Sequence, residues 1–291
     1  KKILTSNLSK GMSCRQKFQE IVKQETITIE DINKLFESFG VQSVLESKDL
    51  QHRQSLMMYL CRTDQMTVPM MQLFIEEAKK ISDDNEFLKN RFDDHVVYYE
   101  DTLIAVACAG TSSLPLIQLI FAACTEEFGK EWLLEQLQLK IREKKTLRWI
   151  CKNARSVDVV RFVFNTFLEI GDKAALEKEL DEVDGDAKTA LTDICSHESC
   201  SVEMAQLVMD QYTVVGGEEF LKKHLLLETY RTSAFTVVAT SSCPDSVFNF
   251  FLAKIGDVCG ASVLKQELTS SKATPLAEVC KEVKVENIGR A

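Results

Sequence analysis

A figure of about 44 residues recurs along most of this chain, and it constrains the fold more than any other feature. Thr146-Leu-Arg-Trp-Ile-Cys151, followed by Ser156-Val-Asp-Val-Val-Arg-Phe-Val-Phe164, returns as Thr189-Ala-Leu-Thr-Asp-Ile-Cys195 and Ser201-Val-Glu-Met-Ala-Gln-Leu-Val-Met209. A small residue closes the first segment of each copy: Cys61, Ala107, Cys151, Cys195, Ala239 and Cys280, at intervals of 46, 44, 44, 44 and 41. Repeats of this length do not bury their apolar faces alone and become stable by stacking on one another.

Each copy predicts three helices. Four residues before each small anchor stands Met57, Leu103, Leu147, Leu191, Phe235 or Leu276, and one before it stands Leu60, Val106, Ile150, Ile194, Val238 or Val279. That spacing draws one apolar stripe on a short helix. For the first five anchors, the positions 9, 12 and 13 residues beyond predict a second helix. They read Met70, Leu73, Phe74; Leu116, Leu119, Ile120; Val160, Val163, Phe164; Met204, Leu207, Val208; and Phe248, Phe251, Leu252. All fifteen are apolar, where a chain with 45% hydrophobic residues gives about half by chance. A third helix carries apolar pairs four apart: Leu88/Phe92, Leu133/Leu137, Leu176/Leu180, Leu221/Leu225 and Leu264/Leu268.

The punctuation agrees. Gly129, Gly171, Gly216-Gly217 and Gly260 precede the third helices, where a left-handed glycine ends the helix before. Pro69, Pro115, Pro244 and Pro275 all fall at helix starts, where a missing N–H costs nothing. A degenerate earlier copy is marked by Phe18, Ile21 and Val22, then by Ile29 to Phe39, then by Val44, Leu45 and Leu50. The expected organisation is a single α-solenoid over 1–291: a degenerate first repeat at 13–56, five long repeats at 57–274, and a truncated last repeat at 275–291. The unfinished end implies that the native chain continues or that a partner covers it.

Asp184-Gly-Asp-Ala-Lys-Thr189-Ala-Leu191-Thr-Asp-Ile-Cys195 resembles the ankyrin repeat, in which an Asp/Gly turn precedes a Thr-Pro-Leu helix start and two small residues. Ala273-Thr274-Pro275-Leu276-Ala-Glu-Val-Cys280 carries the Thr-Pro-Leu itself, and Ser156-Val-Asp-Val-Val-Arg-Phe-Val-Phe164 looks like that family's second helix. The resemblance covers about 57–291. It departs from the family in its longer period, its added third helix, and the absence of the family's first-helix His and Gly-His turn. The expected fold is therefore all-α, a helical-repeat solenoid that is ankyrin-like with an extra third helix; an armadillo-like solenoid is the alternative, since that family also packs three helices into a repeat of about this length.

Composition narrows the function. A net charge of −9 argues against a general nucleic-acid-binding surface. No GxSxG, HExxH, phosphate-cradling loop or dinucleotide fingerprint occurs, so no enzyme and no cofactor are expected. The ten cysteines include no CxxC pair, and four sit at repeat anchors that alternate with alanine, as small buried hydrophobes do. Cys195-Ser-His197-Glu-Ser-Cys200 has no familiar zinc spacing, and no metal is expected. The longest apolar run, Leu114 to Cys124, is 11 residues, short of the roughly 20 needed to span a bilayer. Lys1-Lys-Ile-Leu-Thr-Ser lacks both a signal-peptide core and an initiator Met, which suggests a processed, trimmed or partial chain. These features lead to the expectation of a cytoplasmic, reducing location.

The expected activity is binding of a protein or peptide. In ankyrin-like proteins the concave surface is lined by exposed first-helix residues and the turns before them. The matching positions, one, two and five past the apolar starter, are Met58, Tyr59, Arg62; Ile104, Ala105, Cys108; Arg148, Trp149, Lys152; Thr192, Asp193, Ser196; Thr236, Val237, Thr240; and Ala277, Glu278, Lys281. The partner-binding candidates are Tyr59, Arg62, Arg148, Trp149, Lys152, Asp193, Ser196, His197, Glu278 and Lys281. Trp149 stands out, because an exposed Trp beside Arg148 and Lys152 has the composition of a binding hot spot; the competing expectation is that a neighbouring third helix covers it. If exposed, that cationic patch favours an acidic or phosphorylated peptide. The alternative function is a structural subunit of a large multiprotein complex, contacted on several faces.

Overall fold

A computed structural model describes residues 13–48, 54–82, 85–93, 102–111, 113–141, 144–184, 186–229 and 232–269. The chain is all-α: seventeen helices and two two-residue strands make up its regular structure among the described residues. It divides into two compact units, Lys1–Glu143 and Lys144–Ala291.

Unit 1 begins with α1 (Cys14–Ile21), α2 (Ile29–Phe39) and α3 (Val41–Glu46). Two triplets follow: α4 (Leu56–Arg62), α5 (Val68–Lys79) and α6 (Glu86–Phe92), then α7 (Leu103–Gly110), α8 (Leu114–Phe128) and α9 (Lys130–Gln138). Unit 2 holds α10 (Thr146–Asn153), α11 (Val157–Ile170) and α12 (Lys173–Leu180), then α13 (Ala190–Cys195) and α14 (Val202–Leu225). It closes with α15 (Ala234–Ala239), α16 (Asp245–Cys259) and α17 (Ala261–Thr269). α14 is a second and a third helix run together, with a kink at Gly217 (φ 77°, ψ −175°).

Hydroxyl caps start these helices. Ser55, Thr102, Thr189 and Ser233 open first helices, and Thr67, Ser113, Ser156 and Ser201 open second helices, each accepting from an amide in the first turn. Such a cap contributes about 1 kcal/mol. Pro69 and Pro115 sit in first turns as expected, and Pro244 is itself the cap residue of α16. Pro275 and Leu50 lie outside the described residues. Second and third helices join at Gly129, Gly217 and Gly260, all with positive φ. The junction expected at Gly171 departs from this pattern. Gly171 keeps φ −102°, and Asp172 takes the positive φ in its place.

Equivalent helices lie side by side within each unit. α4 packs on α7 and α5 on α8; in unit 2, α10 packs on α13, α13 on α15, and α14 on both α11 and α16. The anchors Cys61, Ala107, Cys151 and Cys195 are fully buried between them. Leu88/Phe92, Leu133/Leu137, Leu176/Leu180 and Leu221/Leu225 are buried as well. Leu264 and Leu268 are only half-buried, since no described helix packs beyond α17. Each large apolar side chain buried here contributes roughly 1.5–3 kcal/mol.

One expectation about the first helices is corrected in unit 1. Met58, Ile104, Ala105 and Cys108, expected on an exposed surface, are buried. α7 reads LIAVACAG and every residue in it is buried, as befits a helix that is apolar on all sides.

Candidate partner-binding cleft

The first helices of unit 2 are more polar, and they frame an open cleft of about 560 Å³. Lys152 of α10, Asp193 of α13, and Val237 and Thr240 of α15 and its C-cap line it, together with Ser196 and His197 just past α13. Lys152, Ser196 and Thr240 hold the same register position in three successive repeats, 44 residues apart. Asp193 and Val237 share another. The structure thus brings four of the ten expected residues to one place: Lys152, Asp193, Ser196 and His197.

Four of the other six are placed elsewhere. Tyr59 is half-buried in unit 1, where its hydroxyl donates to the Val22 carbonyl at 2.7 Å and its ring meets Phe18 edge-on. Arg62 is also half-buried and faces the buried Gln54 amide, whose oxygen, turned toward the guanidinium, accepts from Nη1 at 2.8 Å. Glu278 and Lys281 lie outside the described residues. Trp149 is half-buried, and its carbonyl accepts from Asn153 Nδ2 at 2.8 Å.

Arg148 is a correction. Expected beside Trp149 on the surface, it is 2% exposed, and its two sides serve two acids. Nε donates to Asp193 Oδ2 and Nη2 to Asp184 Oδ2, both at 2.6 Å. Lys144 adds a second cation at 3.2 Å from Asp193. Asp193, 5% exposed, is therefore the inner wall of the cleft and already neutralised. Both residues turn inward because a charge leaves water only with a partner, and each supplies the other's. Desolvation raises the Asp184 carboxyl, but Arg148 and the amides of Lys188 and Asp186 outweigh it and hold it below the usual range. Desolvation pulls Lys144 down despite Asp193, with Arg148 and Lys152 adding to the effect.

The outer wall is uncommitted. Lys152 is exposed and has no hydrogen-bond or ion-pair partner among the described residues. The Ser196 hydroxyl is buried without a partner. His197 Nδ1 accepts from the Ser199 amide at 3.2 Å, so the neutral ring carries its proton on Nε2. Desolvation pulls the His197 imidazole down, Lys152 and Arg155 help, and Glu198 opposes them. The Ser199 hydroxyl is 2.7 Å from the same Nδ1, in an exposed turn two residues along the chain.

The sequence pattern did not single out Asp186 and Lys188, in the turn before α13, or Thr232 and Ser241, which flank α15. The signal for them was their place in the turns around the first helices. Asp186 and Lys188 form a long ion pair, 3.9 Å, with both side chains well exposed.

Cysteine chemistry takes no part here. The nine described cysteines are unpaired, and burial pushes the anchor thiols far above their ordinary range and Cys200 up to about 12. Cys195 and Cys200 are buried while His197 lines the cleft, and no group of three or more metal-ligating side chains is found among the described residues. No described helix is long and apolar enough to cross a membrane. No family model, curated protein or solved structure matches the chain.

Proposed function

We propose that this protein is a non-enzymatic interaction module whose unit 2 cleft receives a protein or peptide partner. The observation that carries this is the alignment of Lys152, Ser196 and Thr240 along one open cleft, contributed by successive repeats. Stacked repeats present such rows because each copy places the same register position on the same side. We further propose that each unit is a stack of long ankyrin-like repeats. The packing of first helix on first helix, with second helices behind, supports that reading.

Cross-linking of the intact chain to its captured partner tests the proposal. Links concentrated on Lys152 and Lys188 at the cleft are the expected result. Links spread over the third helices, at Lys178 of α12 and Lys222 of α14, would instead make the protein a subunit held on several faces.

A further inference from the structure

The proposed cleft has unequal walls, and the inequality indicates what it recognises. Lys144, just before α10, and Arg148 and Lys152 on α10 follow one another at four-residue spacing. The first two members end on Asp193, and Arg148 also holds Asp184. The row then runs out of acids at Lys152.

What lies next to Lys152 in the cleft is a set of donors. The Ser196 hydroxyl, one repeat along in the same register, is buried with no partner. Such a group costs about 1–3 kcal/mol unless an acceptor reaches it. His197 offers Nε2–H, because Nδ1 is already an acceptor for Ser199. An amine, a hydroxyl and an imidazole N–H all call for an oxygen acceptor. Asp193, the buried acid of the wall, is saturated by Arg148 and Lys144.

The charge count decides which acceptor. Of the two cations among the described lining residues, Lys152 has no ion pair and Lys188 is shared with Asp186. The Arg148 guanidinium behind the wall has both faces in use on Asp193 and Asp184, so it offers no planar fork to a phosphate. Burial keeps His197 neutral at pH 7. One net positive charge beside a buried carboxylate suits a monoanion.

We propose that the cleft recognises one acidic side chain, Asp or Glu, of an extended peptide laid across α10, α13 and α15. Its carboxylate pairs with Lys152 and accepts from Ser196 and His197. Val237 and Thr240 then contact the flanking residues. Three helices side by side span about 20 Å, the length of about six extended residues. This inference rests on the reading of the cleft as a peptide site.

The test pans the intact chain against a randomised-peptide display library, alongside a second library with a fixed phosphoserine. Enriched sequences are then measured by fluorescence anisotropy. The expected result is one conserved acidic position, with Asp→Asn or Glu→Gln there weakening binding about tenfold, the scale of a lost charged hydrogen bond. Lys152→Glu is expected to abolish capture and Lys152→Arg to retain it; Lys152 is exposed, and circular dichroism checks that each variant folds. Enriched peptides without an acidic position, bound equally by Lys152→Glu, overturn the acid recognition and leave the peptide site standing. Enrichment from the phosphoserine library alone overturns the carboxylate assignment. No enrichment from either library overturns both this inference and the peptide reading beneath it.

Discussion

Asp172 stands where the chain passes from a second to a third helix, with φ 101° and ψ 172°. At the equivalent junctions Gly129, Gly217 and Gly260 take φ 89°, 77° and 93°. A side chain in that region costs about 1–3 kcal/mol. Asp172 recovers part of this by accepting from the Ala175 amide at 2.7 Å, but replacing a cap residue by glycine loses only a few tenths of a kcal/mol. Asp172→Gly is therefore expected to stabilise the protein by about 1 kcal/mol, read from the denaturation midpoint. A lower midpoint would show that the cap outweighs the strain. Arg148 makes the opposite case. Removing it leaves Asp193, 5% exposed, with Lys144 alone. Arg148→Ala is expected to destabilise by about 3 kcal/mol, since a buried acid loses its partner. Arg148→Lys is not expected to restore this, because one amine does not present the two separate faces that Asp184 and Asp193 use.

At the scale of the element, α4 and α7 meet closely enough to require glycine. A Cβ on Gly110 would lie 2.4 Å from the Cys61 carbonyl oxygen and 2.8 Å from Arg62 Cα, and backbone atoms do not rotate aside. Gly110→Ala is expected to cost about 2 kcal/mol, as overpacking does, and to lower hydrogen-exchange protection in α4 and α7. Unchanged protection there would refute this contact. The existence and register of such helices were legible in the sequence, because Val160, Val163 and Phe164 repeat a spacing that only a helix puts on one face. Burial of α7 was missed by the repeat register, which set Ile104, Ala105 and Cys108 on an exposed face, although LIAVACAG has no polar side to expose. Burial of Arg148 was not legible, because its partners Asp184 and Asp193 stand 36 and 45 residues away, and no local spacing shows which side of α10 they will approach. The register of Lys152, Ser196 and Thr240 was readable as a row. That Ser196 would be left without a partner depends on side-chain packing the pattern does not encode.

At the scale of the whole molecule, acidity governs behaviour. The net charge of −9 falls to zero near pH 5.2, removing the mutual repulsion that keeps copies apart. One buried histidine is expected to weaken the fold over the same range. His224 of α14 is fully buried, packs edge-on against Tyr212 and Phe220, and bonds Asp181 through Nε2 at 3.1 Å, with Lys223 on the same carboxylate. Its Nδ1 is buried without a partner. Desolvation outweighs Asp181 and pushes the imidazole down to about 4. The unfolded chain, with a histidine near its ordinary value of about 6.5, then binds more protons than the folded one between those two values. The contribution of neutral His224 is complete above about 6.5 and is lost as pH falls toward 4, amounting to about 2 kcal/mol between pH 7 and pH 5. Glu179 works in the other direction: burial raises its carboxyl despite Lys145, so its protonation favours the folded state as pH falls. Melting temperatures of the natural chain and of His224→Phe, taken at pH 7 and pH 5, separate the two. The natural chain is expected to lose more on acidification, because phenylalanine keeps the contacts with Tyr212 and Phe220 and has nothing to protonate. Equal losses would mean that His224 is solvated well enough to titrate as it does in the unfolded chain, and the acid sensitivity would then have to be assigned elsewhere.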